Sequence, residues 1–78
     1  MWHVYILECA DKTHYTGCTS NLKERIARHQ SGHVSYTKNK LPIKLITHLV
    51  FSNKYKAYDF EKYLKSGSGI AFRNKRLI

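Results

Sequence analysis

At 78 residues the chain is expected to be one domain; a chain this size buries only about 60–65% of its unfolded surface, so its core is compact and any cleft shallow. Hydrophobic residues make up 42% of it, which excludes a disordered chain, and its apolar runs are far too short to span a bilayer. Fourteen Lys and Arg against five Asp and Glu give a formal net charge of +9, which points to a polyanionic partner, nucleic acid first among them.

The basic residues are spread along the chain and do not gather on one amphipathic helix, so a membrane partner is not expected. The start, Met-Trp-His-Val-Tyr, has neither the charged beginning nor the long apolar stretch of a signal peptide, and a cytoplasmic protein is expected. Trp2 to Cys9 is dense in strand formers on both parities, the pattern of a central strand covered on both faces. His3, Tyr5 and Leu7 then share one face. Ala10 to Thr13 reads as a hairpin connection with Asp11 as turn former, and His14 to Cys18 as the returning strand. Tyr15 and Gly17 share a face there, and the glycine permits close approach by a neighbour or ligand. Cys9 and Cys18 are expected to be free, buried thiols, and no Cys-x-x-Cys spacing suggests structural zinc.

Asn21, with Glu24 three residues on, fits a capping box, although Ser20 could also cap, for a helix running to about Ser31, with Gly32 just past its end. Its apolar stripe is thin: Leu22, Ile26 and part of Ala27. Arg25 and His29 flank that stripe, and an arginine at the edge of a buried face is costly unless something anionic answers it. It could instead snorkel to solvent or pair with an acid such as Glu8. Residues 32–42 form a loop without period, in which Tyr36, Lys38, Asn39 and Lys40 mix aromatic and basic groups. Such a mixture contacts phosphates and stacks on bases, or is simply a solvated loop.

Ile43 to Phe51 is the third strand, interrupted mainly by Lys44 and His48. Ser52 or Asn53 caps a second helix to about Lys65, which buries Ala57, Phe60 and Leu64. Glu61 leans to the core side, either for a function or to pair with Arg25 or a lysine. Ser66 to Gly69 is expected to break this helix, and Ile70 to Leu77 to form a short last one. Lys62, Lys65, Arg73, Lys75 and Arg76 make that end strongly basic. The order is ββαβα plus a terminal helix, a single α+β domain over residues 1–78 with a three-stranded antiparallel sheet flanked by helices.

These residues together resemble the GIY-YIG nuclease superfamily, in particular its small single-domain bacterial members, the URI-type and excinuclease-like proteins. The first signature triplet stands here as His3-Val4-Tyr5 and the second as Tyr15-Thr16-Gly17. Thr19 to Arg25 is similar to the start of the family's first helix with its arginine, and His29 matches many members. Glu61 to Gly67 is similar to the segment carrying the metal-binding glutamate, while Asn74 corresponds only loosely to the family's late asparagine. His3 stands where glycine is usual and Thr16 where isoleucine is usual; neither change removes a reactive group.

The resemblance implies a metal-dependent endonuclease that hydrolyses DNA, structured or branched substrates of repair or recombination included, with one Mg²⁺ or Mn²⁺ held by Glu61. A carboxylate-rich two-metal cage does not fit a chain with five acids. Arg25 would meet the phosphate, Tyr5 would be general base, and Tyr15 would orient water or phosphate. A free phenol has a pKa of about 10, so Tyr5 would need help to ionise. His29 is the competing base, or it positions Tyr5 or the phosphate. Gly17, Tyr36, Lys38, Lys40, Lys65, Arg73 and Asn74 are the expected nucleic-acid contacts, and a protein partner or homodimer is compatible with so small a domain. The alternative is a nucleic-acid-binding protein with a decayed or partner-dependent site.

Overall fold

The computed structural model describes all 78 residues. Strands β1 (Trp2–Glu8), β2 (His14–Thr19) and β3 (Lys44–Phe51) form an antiparallel sheet in the order β2-β1-β3. Helices α1 (Leu22–Gln30), α2 (Lys54–Leu64) and α3 (Gly67–Arg76) complete it. This is the expected α+β architecture.

The sheet is covered on both faces because β1 carries apolar side chains at both parities. Val4 and Ile6 pack with Cys18, Ala57 and Leu64, under α2 and α3. Tyr5, Leu7 and Cys9 pack with Ile43, and Leu22 and Ile26 of α1 close over them. Val4 through Leu7 are fully buried, as a two-sided central strand requires. Cys9 and Cys18 lie in different cores, and both are free thiols.

The helix starts follow their caps. Asn21 accepts from the Glu24 N–H at 3.1 Å, and its amide donates back to the Glu24 carboxylate at 3.4 Å. Asn53, and not Ser52, caps α2 by accepting from the N–H groups of Tyr55 and Lys56. Gly32 takes the left-handed conformation, φ +78°, after α1.

One expectation is corrected at the last helix. The Ser66–Gly69 segment does not separate two helices, because α3 begins at Gly67 instead of Ile70. Lys65 and Ser66 make the break, and the Ser66 hydroxyl accepts from the Gly69 N–H at 3.2 Å. The first helical turn needs no internal partners for its N–H groups, so glycine is tolerated there. Gly69 is also required by packing, since a Cβ there would collide with the Tyr63 carbonyl. Of the apolar residues of this end, Leu77 reaches the core, while Ile70 and Phe72 remain partly exposed. No helix is long and apolar enough to cross a membrane.

Candidate active site

The site begins with one close approach between strands. Tyr5 on β1 lies directly opposite Gly17 on the outer strand β2. A Cβ at position 17 would fall on the Tyr5 hydroxyl and within 2.8 Å of its Cε1. The glycine therefore lets the phenol lie across β2. Gly17→Ala should force the ring or the strand to move and lower stability by about 1–3 kcal/mol. Urea unfolding measures this directly, and an unchanged midpoint would contradict the close approach.

The phenol oxygen lies 3.0 Å from His29 Nε2, and His29 Nδ1 lies 2.8 Å from Thr37 Oγ1. All three side chains are fully buried. Tyr15 packs edge-on to His29 with ring centres 5.0 Å apart. Burial, and then the neighbouring Tyr15, push the Tyr5 pKa up to about 12, against a smaller opposing pull from Arg25. His29 is displaced below its ordinary value, by burial first and then by the charges of Arg25 and Arg28. At neutral pH the pair is thus a neutral phenol on a neutral imidazole.

Arg25 is half-buried at the edge of α1. The acid considered for it in the sequence, Glu8, instead faces Lys12 and His14, and no carboxylate lies within salt-bridge distance of Arg25. Its charge acts on Tyr5, His29 and Cys18.

Glu61 reaches the same region from the other side of the sheet. It sits on α2 between the buried Ala57 and Leu64, and its side chain is 19% exposed. Lys65 Nζ holds it at 3.1 Å, one of the partners its position suggested, and also lies 6.0 Å from the centre of the Tyr15 ring. Like Arg25, it acts on both Tyr5 and Cys18. No group of three or more His, Cys, Asp or Glu comes together to hold a metal. Glu61 therefore fits a cation bound by one carboxylate, waters and substrate phosphate, which is a common habit of Mg²⁺, and does not fit an all-protein cage.

Two shallow grooves meet at Tyr15 and Tyr36, whose ring centres are 5.3 Å apart. Arg25, Arg28 and His33 line one; Lys65, Arg73, Leu64 and Ile70 line the other. Several expected contacts are placed differently. Lys40 is held by Asp11 at 3.6 Å and lies 4.1 Å from the Tyr36 ring centre, so it braces the loop on the hairpin. Lys38 is exposed and lines neither groove. Asn74 accepts from the Arg73 guanidinium at 3.1 and 3.2 Å and so steadies a groove residue. Gly17 contributes space under Tyr5. His29 is too buried to touch a phosphate; it bonds to Tyr5 and Thr37, and Tyr15, which packs on it, is the neighbour that lines both grooves.

Sequence reasoning missed Arg28, Thr37 and His14. Arg28 follows Arg25 by one helical turn, and that spacing could have placed it beside the same groove. Thr37 carried no signal, because a threonine in an aperiodic loop has no expected direction. His14 lines the second groove with a buried Nε2 that has no hydrogen-bond partner.

Residues 1–74 match the profile of the GIY-YIG catalytic domain. The chain belongs to the GIY-YIG family. The UPF0213 protein SpyM50708 of Streptococcus pyogenes serotype M5 is 45% identical over 64 residues, which are 81% of this chain and 70% of that protein. The UPF0213 protein YsiG of Lactococcus lactis is 45% identical over 65 residues, 82% of this chain and 62% of that one. The solution NMR structure of the UPF0213 protein BH0048 from Bacillus halodurans superposes with a TM-score of 0.61 at 33% identity, covering 99% of this chain and 87% of the other. The domain is a nuclease domain, and the names of these relatives specify no reaction. In GIY-YIG terms, the triplets are cross-strand neighbours whose pairing sets Tyr5 over Gly17. The two departures leave that contact alone. His3 pairs toward β3, with its Nδ1 3.4 Å from His48 Nδ1, and Thr16 lies on the opposite face of β2 from Tyr15 and Gly17.

Proposed function

We infer that the chain is an endonuclease that hydrolyses DNA phosphodiester bonds with one divalent cation, Mg²⁺ or Mn²⁺, held by Glu61. The observation that carries this reading is a phenol bonded to a neutral, buried imidazole beside an arginine that no acid answers. An unanswered guanidinium beside a tyrosine has no structural use that burial would reward. It suits a phosphate.

Tyr5 has no exposure in the free protein, so water reaches its oxygen only after Arg25 or Tyr15 shifts. A guanidinium drawn to the scissile phosphate makes that opening. Arg25 then donates to the phosphate as negative charge builds. The Tyr5 oxygen takes a proton from the attacking water and passes its own to His29 Nε2. The water oxygen bonds to phosphorus, the bond from phosphorus to the 3′ oxygen breaks, and that oxygen takes a proton from solvent. The products are a 5′ phosphate and a 3′ hydroxyl. His29 is poorly suited to remain charged beside Arg25 and Arg28, so the proton returns outward through Tyr5. When bound, the cation supplies a Lewis acid to a phosphate oxygen. Glu61 is the residue that would hold it, with its carboxylate freed from Lys65. Tyr36, Arg28, Lys65 and Arg73 hold the strand on either side of Tyr15.

The Glu61–Lys65 ion pair favours a second reading, a DNA-binding protein whose site is decayed or needs a partner. Purified protein incubated with single-stranded, duplex, flapped and branched DNA, with Mg²⁺, Mn²⁺ or chelator, separates the two. Cation-dependent products with a 5′ phosphate are expected, and Arg25→Ala should slow cleavage by about 10²–10³-fold while DNA is still bound. Retention of DNA without cleavage in either cation would select the second reading.

A further inference from the structure

The proton of the Tyr5 hydroxyl is directed by a residue outside both signature triplets. His29 Nε2 lies 3.0 Å from the phenol oxygen, and Nδ1 lies 2.8 Å from Thr37 Oγ1. A neutral imidazole has one donor nitrogen and one acceptor nitrogen. On the ring alone, either tautomer would satisfy both neighbours. The surroundings break the tie. Tyr5 is fully buried and His29 is its one hydrogen-bond acceptor, so a phenol proton turned elsewhere would be lost to the interior. Arg25, the other polar group acting on that oxygen, can only donate. At the far end, Thr37 Oγ1 has the Val34 carbonyl as an outlet for its own proton, at 3.5 Å. A threonine that donates there accepts from Nδ1–H.

We propose that Thr37 is a positioning residue that holds His29 as the Nδ1–H tautomer, so that Nε2 accepts the Tyr5 proton and the phenol's lone pairs are left for water. The reverse tautomer would donate from Nε2 to Tyr5 and turn the phenol proton away from His29, where it has no acceptor. Tyr5 would then present a donor where hydrolysis needs an acceptor. The role that Thr37 plays for a base rests on reading Tyr5 as the general base; the tautomer itself does not. The arrangement also ties the base to the loop after α1. Thr37 follows Tyr36, whose ring lies on Tyr15 and under Lys40, so the segment that walls the grooves also orients the imidazole.

The test uses the full chain with its histidines labelled by ¹⁵N, so that ring nitrogen shifts and their couplings report the His29 tautomer in the absence of DNA or metal. Wild type should show Nδ1–H, as should Thr37→Ser, which keeps the hydroxyl. Thr37→Val keeps the shape, removes the acceptor, and should move His29 toward Nε2–H. In steady-state cleavage Thr37→Val should lower kcat about 10–100-fold with KM unchanged, and Thr37→Ser should restore it. A wild-type protein in the Nε2–H tautomer overturns the proposal, whether or not the valine variant folds. So does a folded Thr37→Val protein that retains the wild-type tautomer. If wild type holds Nδ1–H and yet cuts no DNA, the tautomer assignment stands and the nuclease reading fails.

Discussion

Glu61→Ala should abolish cation-dependent cleavage, by about 10³-fold or more, and leave DNA affinity unimpaired. The size of the effect follows from the scarcity of acids. Of the five in the chain, Glu8 faces Lys12 and His14, Asp11 holds Lys40 in the hairpin, and Glu24 caps α1. Asp59 is exposed on α2. None of these stands near enough to act on Tyr5 as Glu61 does. A lost ligand is therefore not replaced, and the several kcal/mol that a Lewis acid gives the transition state go with it, each 1.4 kcal/mol being about tenfold in rate. Binding should survive because the substitution removes a negative charge and frees Lys65 for phosphate. Single-turnover cleavage and fluorescence anisotropy measure the two separately. Equal cleavage by wild type and Glu61→Ala would remove the metal role from this residue.

That a carboxylate on α2 acts on a tyrosine of β1 is only half legible in the sequence. Period puts Tyr5 on one face of the first strand and Tyr15 with Gly17 on one face of the second, and helical spacing turns Arg25 and His29 toward the sheet; the register that sets Tyr5 opposite Gly17 comes from the fold. Helical spacing also turns Glu61 inward. Nothing in these periods says that α1 and α2 cover opposite faces, as the two cores show. Pairwise propensities describe each element; the layering that brings Glu61 into reach of Tyr5 is a property of the whole fold. The start of the last helix is hidden in the sequence for a local reason. Gly67, Ser68 and Gly69 read as a break, yet Ser66 caps the turn and Gly69 is small because the Tyr63 carbonyl needs the space. Lys40 shows a different limit. Its type suits phosphate, but Asp11 is brought beside it by the hairpin, and an ion pair across 29 residues leaves no periodic trace.

Tyr5→Phe should lower the cleavage rate by about 10²–10⁴-fold, the range of a positioned general base, while keeping the ring that fills the space over Gly17. It also leaves His29 Nε2 buried without a donor, which should cost about 1–3 kcal/mol of stability. The pH profile distinguishes lost chemistry from lost packing. In wild type the imidazole must be neutral to accept the phenol proton. Tyr5, Tyr15 and Thr37 face it, and burial, followed by the charges of Arg25 and Arg28, holds its proton affinity down. Cleavage should therefore hold from alkaline pH down past 6.5, the ordinary histidine value, and fall only as pH drops through the lower folded value. Stability has the same sign. Below 6.5 the unfolded chain binds a proton that folded His29 refuses, so the contribution is full above 6.5 and is lost as pH falls through the folded value. No alkaline limb from Tyr5 is expected before about 12. In Tyr5→Phe the residual cleavage should lose the acidic limb, because His29 no longer takes a proton in the reaction. Rate profiles and urea midpoints over about pH 5 to 9 test both. A wild-type rate in Tyr5→Phe, or an acidic limb that persists in it unchanged, would move the base elsewhere, since the buried imidazole bonds only to this phenol and to Thr37.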